Sequence, residues 1–158
     1  MLTLVLMRHG QASFDASDDF SRRLSNVGRA QVLSVAQCLL AQDVKPDLII
    51  SSDAPRALSS ADILTSVLCP TRRLSSHLLY SEHTTQQFLD LISSSSVLSD
   101  KCVAVVAHNP DISYRAIRLS KSFSAVSFPT AGVVVLSFDA VSWSDVQPAS
   151  ADLLWCSF

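Results

Sequence analysis

The sequence predicts an α/β protein of three layers, with helices on both faces of a mostly parallel sheet that contains at least one antiparallel strand. Three observations predict it. Short apolar runs of strand character alternate with longer stretches of helical period, the pattern of βαβ units around a parallel sheet. The run Leu48-Ile49-Ile50 is apolar throughout, as a strand covered on both faces must be. The link between the last two strand-like runs is short and has no helical pattern, so at least one of them is expected to run antiparallel.

The elements follow in order. Residues 2–7 form the first strand and lead into a polar loop that reaches about Leu24 without any helical period. Ser25 is a suitable N-cap for a helix that carries Val27, Ala30, Val32, Leu33, Val35, Ala36, Leu39 and Leu40 on a broad apolar face. Pro46 closes that segment, residues 48–50 are a buried strand, and residues 51–55 turn into a second helix. Pro55 is tolerated in its first turn, and the helix runs to about Leu68. Residues 71–74 read as a short strand, and residues 84–92 as a short helix with Phe88, Leu89 and Ile92 inward. The serine run 93–96 reads as a helix end and surface loop. Residues 102–107 form a strand terminated by His108-Asn109-Pro110, and a helix follows through Ile112, Ala116, Ile117 and Leu119. Residues 133–138 and 153–156 are the two late strands.

Bulk properties narrow the class. At 158 residues, 48% hydrophobic and 16% charged, the chain is expected to form a single domain over residues 1–158 with a full core. The mean hydropathy of +0.31 gives no support for a disordered tail. A net charge of −2 supplies no global field toward nucleic acid or an anionic membrane, so any anion site must be local. The apolar run at the N-terminus ends at Arg8 with no basic region before it, and is read as neither a signal peptide nor a membrane span. Cys38, Cys69, Cys102 and Cys156 form no C-x-x-C pair. They are expected to be reduced, mostly buried packing thiols in a cytoplasmic protein without a metal site.

The candidate site comes from position. Arg8 with His9, Arg56, and His108 each fall at or just past the carboxyl end of a different predicted strand. In a parallel sheet those ends share one rim, where open α/β sheets bind their ligands. Two guanidiniums and two imidazoles around one hollow suit a phosphoryl group. Gly10 supplies a flexible backbone position beside them.

The blocks Arg8-His9-Gly10-Gln11-Ala12, Leu24-Ser25-Asn26-Val27-Gly28-Arg29-Ala30-Gln31, Ser51-Ser52-Asp53-Ala54-Pro55-Arg56-Ala57 and Ala107-His108-Asn109-Pro110 together resemble the histidine phosphatase superfamily, the branch that includes phosphoglycerate mutases. The chain's length, the compact stretch between Arg56 and His108, and Phe128-Pro129-Thr130-Ala131-Gly132 are most similar to the small phosphohistidine phosphatases of the SixA type. The resemblance implies a phosphoglycerate mutase-like fold and a phosphatase with no metal or cofactor. His9 is the implied nucleophile, forming a phosphohistidine that water hydrolyses. Arg8 and Arg56 hold the phosphoryl oxygens, and His108, protonated or donating a hydrogen bond, joins them. The family's proton donor comes from the segment between the second arginine and the second histidine. There Glu82 is the only glutamate, one position away from the family's pattern. Gln11 and Asn109 are candidate substrate-binding donors.

The short middle segment implies an uncovered cleft, suited to a phosphorylated side chain on a protein such as a histidine phosphotransfer domain. A broad phosphomonoesterase, a sugar-phosphate mutase and a non-catalytic phospho-ligand binder are the alternatives. A mutase needs a closed pocket, and a binder needs no nucleophile.

Overall fold

The computed structural model of the protein describes residues 1–124 and 127–158. Its strands are β1 (Leu2–Arg8), β2 (Leu48–Ser52), β3 (Arg72–Ser76), β4 (Cys102–Ala107), β5 (Val133–Phe138) and β6 (Asp152–Cys156). Its helices are α1 (Asn26–Ala41), α2 (Pro55–Leu68), α3 (Thr85–Ser95) and α4 (Asp111–Leu119), with single 3-10 turns at His77–Leu79 and Trp143–Asp145.

The sheet order is β3-β2-β4-β1-β5-β6. Strands β1 to β4 are mutually parallel, and β5 runs antiparallel to both β1 and β6. The expected antiparallel strand is therefore β5. Residues along β1 alternate between two cores, with Leu4 and Leu6 packing among the buried residues of α3 and α4, and Val5 and Met7 among those of α1 and α2. That two-sided burial makes three layers and explains the unbroken apolar run.

Local chemistry sets the helix starts. The Ser25 side chain accepts from the Gly28 N–H, Pro55 occupies the first turn of α2, and Thr84 forms a capping box with Gln87 at α3. Four expectations change. Helix α1 buries only the stripe Gly28, Val32, Ala36 and Leu39, while Val27, Leu33 and Leu40 are exposed, because α1 forms an outer layer with one inward face. Strands β2 and β3 run on to Ser52 and Ser76, so residues 51 and 52 are strand and not turn, because the two strands continue to pair beyond their apolar residues. Helix α3 keeps its helical bonds to Ser95, so most of the serine run is helix. The cysteines are free as expected but not buried: Cys38 and Cys69 are exposed, and Cys102 and Cys156 are half-buried.

Among the described residues, no helix is long and apolar enough to cross a membrane.

Candidate active site

Strand register builds the site. Arg8 pairs with Ala107 and Ser51 with Val106, so the residues that leave β1, β2 and β4 do so at one level. His9, Ser52 and His108 meet there. The segment after β1 is held close to α1: a Cβ on Gly28 would lie 2.1 Å from the Gln11 carbonyl oxygen, and one on Gly10 2.6 Å from that of Gly28. No glycine takes a positive φ, so Gly10 serves close packing and not the flexible conformation the sequence suggested. Its N–H donates to Ser60 Oγ of α2 at 3.0 Å, which ties the same segment to a second helix.

His9 is 6% exposed. Its Nδ1 lies 2.6 Å from the Gly10 carbonyl oxygen, and its Nε2 lies 3.3 Å from Nε of Arg56. A carbonyl only accepts and a guanidinium only donates, so Nδ1 carries the proton and Nε2 keeps its lone pair. Burial, followed by the charges of Arg56, Arg8 and Arg22 against the opposing Gly10 bond, pushes the imidazole down to about 4. The ring is neutral at pH 7.

The His108 ring lies 5.1 Å from that of His9. Its Nε2 is 2.7 Å from Ser52 Oγ, which already accepts from the Ala54 N–H at 3.1 Å. His108 Nε2 is the only acceptor in reach of the Ser52 hydroxyl among the described residues, so the serine proton is assigned to it and Nδ1–H is left buried without a partner. Burial, with His9 and Arg56 adding to it, pushes His108 down to about 3. The protonated His108 that the sequence reading allowed is thus replaced by a neutral donor, because a cation here would be desolvated among other cations.

Arg56 is 4% exposed. Its Nη1 donates to the Asp19 carbonyl oxygen at 2.7 Å and its Nη2 to Asp19 Oδ2 at 3.0 Å. Asp19 also accepts from the Tyr80 hydroxyl at 2.9 Å and from Arg22 at 3.3 Å. The Tyr80 bond first, and then the bond and charge of Arg56, hold its carboxyl down at about 2, as a carboxylate. Arg8 anchors Nη1 on the Phe128 carbonyl at 2.9 Å, with Nε unpartnered.

These groups line a cleft of about 670 Å³. It brings together Arg8, His9, Arg56 and His108, as the strand ends predicted, and also Gln11 and Asn109. The Asn109 amide is committed within the protein, donating to Phe128 O and Ser127 Oγ and accepting from Ser113 Oγ. It pins the 127–128 backbone and has no free donor to offer a substrate. Glu82 is exposed and does not line the cleft. The acidic residues that do are Asp19 and Asp111. Asp19, Ser52 and Tyr80 escaped the sequence reading. Ser52 was readable as part of the Ser51-to-Arg56 turn, whereas Asp19 and Tyr80 come from segments with no period to place them. His77 pairs with Asp53 at 2.9 Å, and His83 stacks on Phe88 of α3 with centroids 6.0 Å apart. Among the described residues, no three of His, Cys, Asp or Glu are grouped to hold a metal ion.

A neutral nitrogen lone pair facing an open cleft between two guanidiniums can attack an electrophilic, anionic phosphorus centre. Residues 4–75 match the model of the histidine phosphatase superfamily (branch 1). The solved protein histidine phosphatase SixA in its tungstate complex superposes with a TM-score of 0.82 at 20% identity, over 98% of this chain and 96% of that one. A SixA-type protein from Nakamurella multipartitia gives a TM-score of 0.83 at 23% identity, over 99% and 95%. A mycobacterial glucosyl-3-phosphoglycerate phosphatase gives 0.69 at 20% identity, over 97% and 98%. An uncharacterized chloroplastic protein of Arabidopsis thaliana is 25% identical over 162 residues, covering 96% of this chain and 73% of that one. The match over residues 4–75 makes that part of the chain similar to the histidine phosphatase superfamily, and the fold along the whole chain is similar to that of the small SixA-type proteins.

Proposed function

We propose that the protein is a metal-independent phosphatase that works through a phosphohistidine on His9. The observation that carries this reading is the His9 imidazole itself, neutral, with Nδ1–H spent on Gly10 and Nε2 presented to the cleft beside Arg56. Nε2 attacks phosphorus in line, and the N–P bond forms as the bond to the leaving group breaks. Water then attacks phosphorus, and the N–P electrons return to Nε2. Arg8, Arg56 and the Nδ1–H of His108 stabilise the phosphoryl oxygens in both steps. The 3.3 Å contact between Arg56 and His9 is long enough to open as the phosphoryl group enters.

The substrate class follows from the proton the leaving group needs. An alkoxide leaving group wants a positioned acid, but Asp19 is held as a carboxylate and Glu82 lies outside the cleft lining. A phosphorylated imidazole can take its proton before transfer and needs no such acid. The open cleft supports a phosphohistidine carried on a protein, such as a histidine phosphotransfer domain, and the likeness to the protein histidine phosphatase SixA agrees with it. Four free thiols support a reducing compartment such as the cytoplasm. A second reading, a small phosphomonoester, rests on the Asp111 side chain, an acidic group that lines the cleft at the start of α4.

Two measurements test the proposal. Rapid quench with a phosphorylated phosphotransfer domain, followed by peptide mapping, is expected to find an acid-labile, base-stable phosphoryl group on His9, absent in His9→Ala. Side-by-side turnover of that domain and of small phosphomonoesters tests the substrate class, and faster turnover of the esters would reject the protein substrate.

A further inference from the structure

The Tyr80 hydroxyl donates to Oδ2 of Asp19, the same oxygen that accepts from Nη2 of Arg56. One carboxylate oxygen therefore joins the phenol to the guanidinium. The Tyr80 ring also meets His108 edge-on with centroids 5.4 Å apart, and the Arg56 guanidinium carbon lies 5.9 Å from its centroid. Tyr80 thus borders three of the groups around His9. It is itself fixed, since its N–H closes the 3-10 turn onto the His77 carbonyl at 3.0 Å, and Phe20 packs edge-on against its ring at 4.9 Å.

Asp19 needs such a fixed partner. Its side chain is 59% exposed on the irregular loop between β1 and α1, where an ion pair alone is a weak restraint. Yet Asp19 supplies both acceptors for the terminal nitrogens of Arg56, through its carbonyl and its carboxylate. A guanidinium is planar, so fixing the two Nη atoms fixes the direction of Nε, the edge that faces His9. An incoming phosphoryl group would repel the Asp19 carboxylate and release that alignment unless something neutral retained it.

We propose that Tyr80 is a positioning residue for the phosphoryl site: its hydroxyl keeps the Asp19 carboxylate where it aligns the Arg56 guanidinium, with the Nε edge turned to His9. The proposal rests on the phosphatase reading given above. The Tyr80 ring supports His108 by contact, and the hydroxyl supports Arg56 through Asp19, so the two parts of the side chain have separable effects.

A double-mutant cycle with Tyr80→Phe and Asp19→Ala tests it, because phenylalanine keeps the ring and its packing and alanine removes the oxygen that accepts from the hydroxyl. Turnover of a phosphorylated phosphotransfer domain and calorimetric binding of inorganic phosphate are read in parallel. Tyr80→Phe is expected to lower kcat about tenfold with a smaller change in KM, and to weaken phosphate binding by a similar factor, as for loss of one bond to a charged group. In the Asp19→Ala background the same change is expected to do nothing further. Additive losses, or an unchanged Tyr80→Phe enzyme, overturn the proposal. If wild-type protein binds phosphate but turns over no phosphorylated compound, the phosphatase reading falls and the binding cycle still decides the role of Tyr80. If it binds no phosphate at all, both fall.

Discussion

Nε of Arg56 stands 3.3 Å from Nε2 of His9, its N–H directed at the imidazole lone pair. The contact fixes the His9 tautomer from one side, as the Gly10 carbonyl fixes it from the other. It also makes protonation of His9 costly, since an imidazolium would have to displace a guanidinium within a buried site.

The first prediction concerns pH and stability. His9 and His108 titrate at about 4 and about 3 in the folded protein, below the ordinary value of 6.5. Between those values the unfolded chain binds more protons than the folded one, so stability falls as pH drops through 6.5, until each ring is protonated in the fold. For His9 the accumulated loss is roughly 3 kcal/mol. Denaturant unfolding at pH 7, 5.5 and 4.5 is expected to show this slope, and a His9→Gln, His108→Gln double variant to flatten it. Equal slopes in the two proteins would rule the explanation out.

The second prediction separates shape from charge at Arg56. Its Nε, Nη1 and Nη2 serve three acceptors at once, in directions that one ammonium cannot cover. Arg56→Lys is expected to lower kcat/KM by about two to three orders of magnitude, the range for loss of a preorganised electrostatic donor. Steady-state kinetics decides, and retention of more than a third of the wild-type value counts against the fork geometry.

The third prediction tests the packing that places His9. An alanine Cβ at position 28 would lie 2.1 Å from the Gln11 carbonyl oxygen, a backbone atom that can move only with the segment following His9. Gly28→Ala is expected to destabilise the fold by about 1–3 kcal/mol or more and to reduce turnover along with stability. Unfolding midpoints and activity measured on the same preparation test the coupling. Full activity in a variant of wild-type stability would show that α1 does not constrain the site.

The elements most legible in the sequence were those with their own signals. Strand β4 and helix α2 end where their apolar run, Pro55 and helical period said they would, and the rim residues Arg8, His9, Arg56 and His108 follow from the strand ends alone. What the sequence hid lies in irregular backbone. Asp19 reaches Arg56 through a loop whose return is set by the Ala12–Leu24 bridge, a pairing with no periodic trace. The 3-10 turn at His77–Leu79 turns Tyr80 toward the cleft and leaves Glu82, two residues on, exposed and outside the cleft lining, a local geometry with no trace in the sequence pattern. Cysteine burial failed for a similar reason. An apolar neighbourhood in sequence does not say which helix face a residue takes, and Cys38 lies on the outer face of α1.

The last prediction concerns Ser52, which is 0% exposed and stands between one donor and one acceptor of the site. It accepts from the Ala54 N–H at 3.1 Å and points its proton at Nε2 of His108 at 2.7 Å, so it decides that the free donor of His108 is Nδ1–H. Ser52→Ala leaves a buried N–H and a buried ring nitrogen unpaired, which costs about 1–3 kcal/mol. It also frees the His108 tautomer, and a ring with its proton on Nε2 has no N–H at Nδ1 to offer a phosphoryl oxygen. The expected result is a roughly tenfold fall in kcat/KM, the size of one such interaction. Nitrogen NMR of labelled histidine is expected to show His108 shifting from the Nδ1–H form toward a mixture. An unchanged tautomer in Ser52→Ala, with activity lost, would assign the effect to backbone disturbance at Ala54 and not to His108.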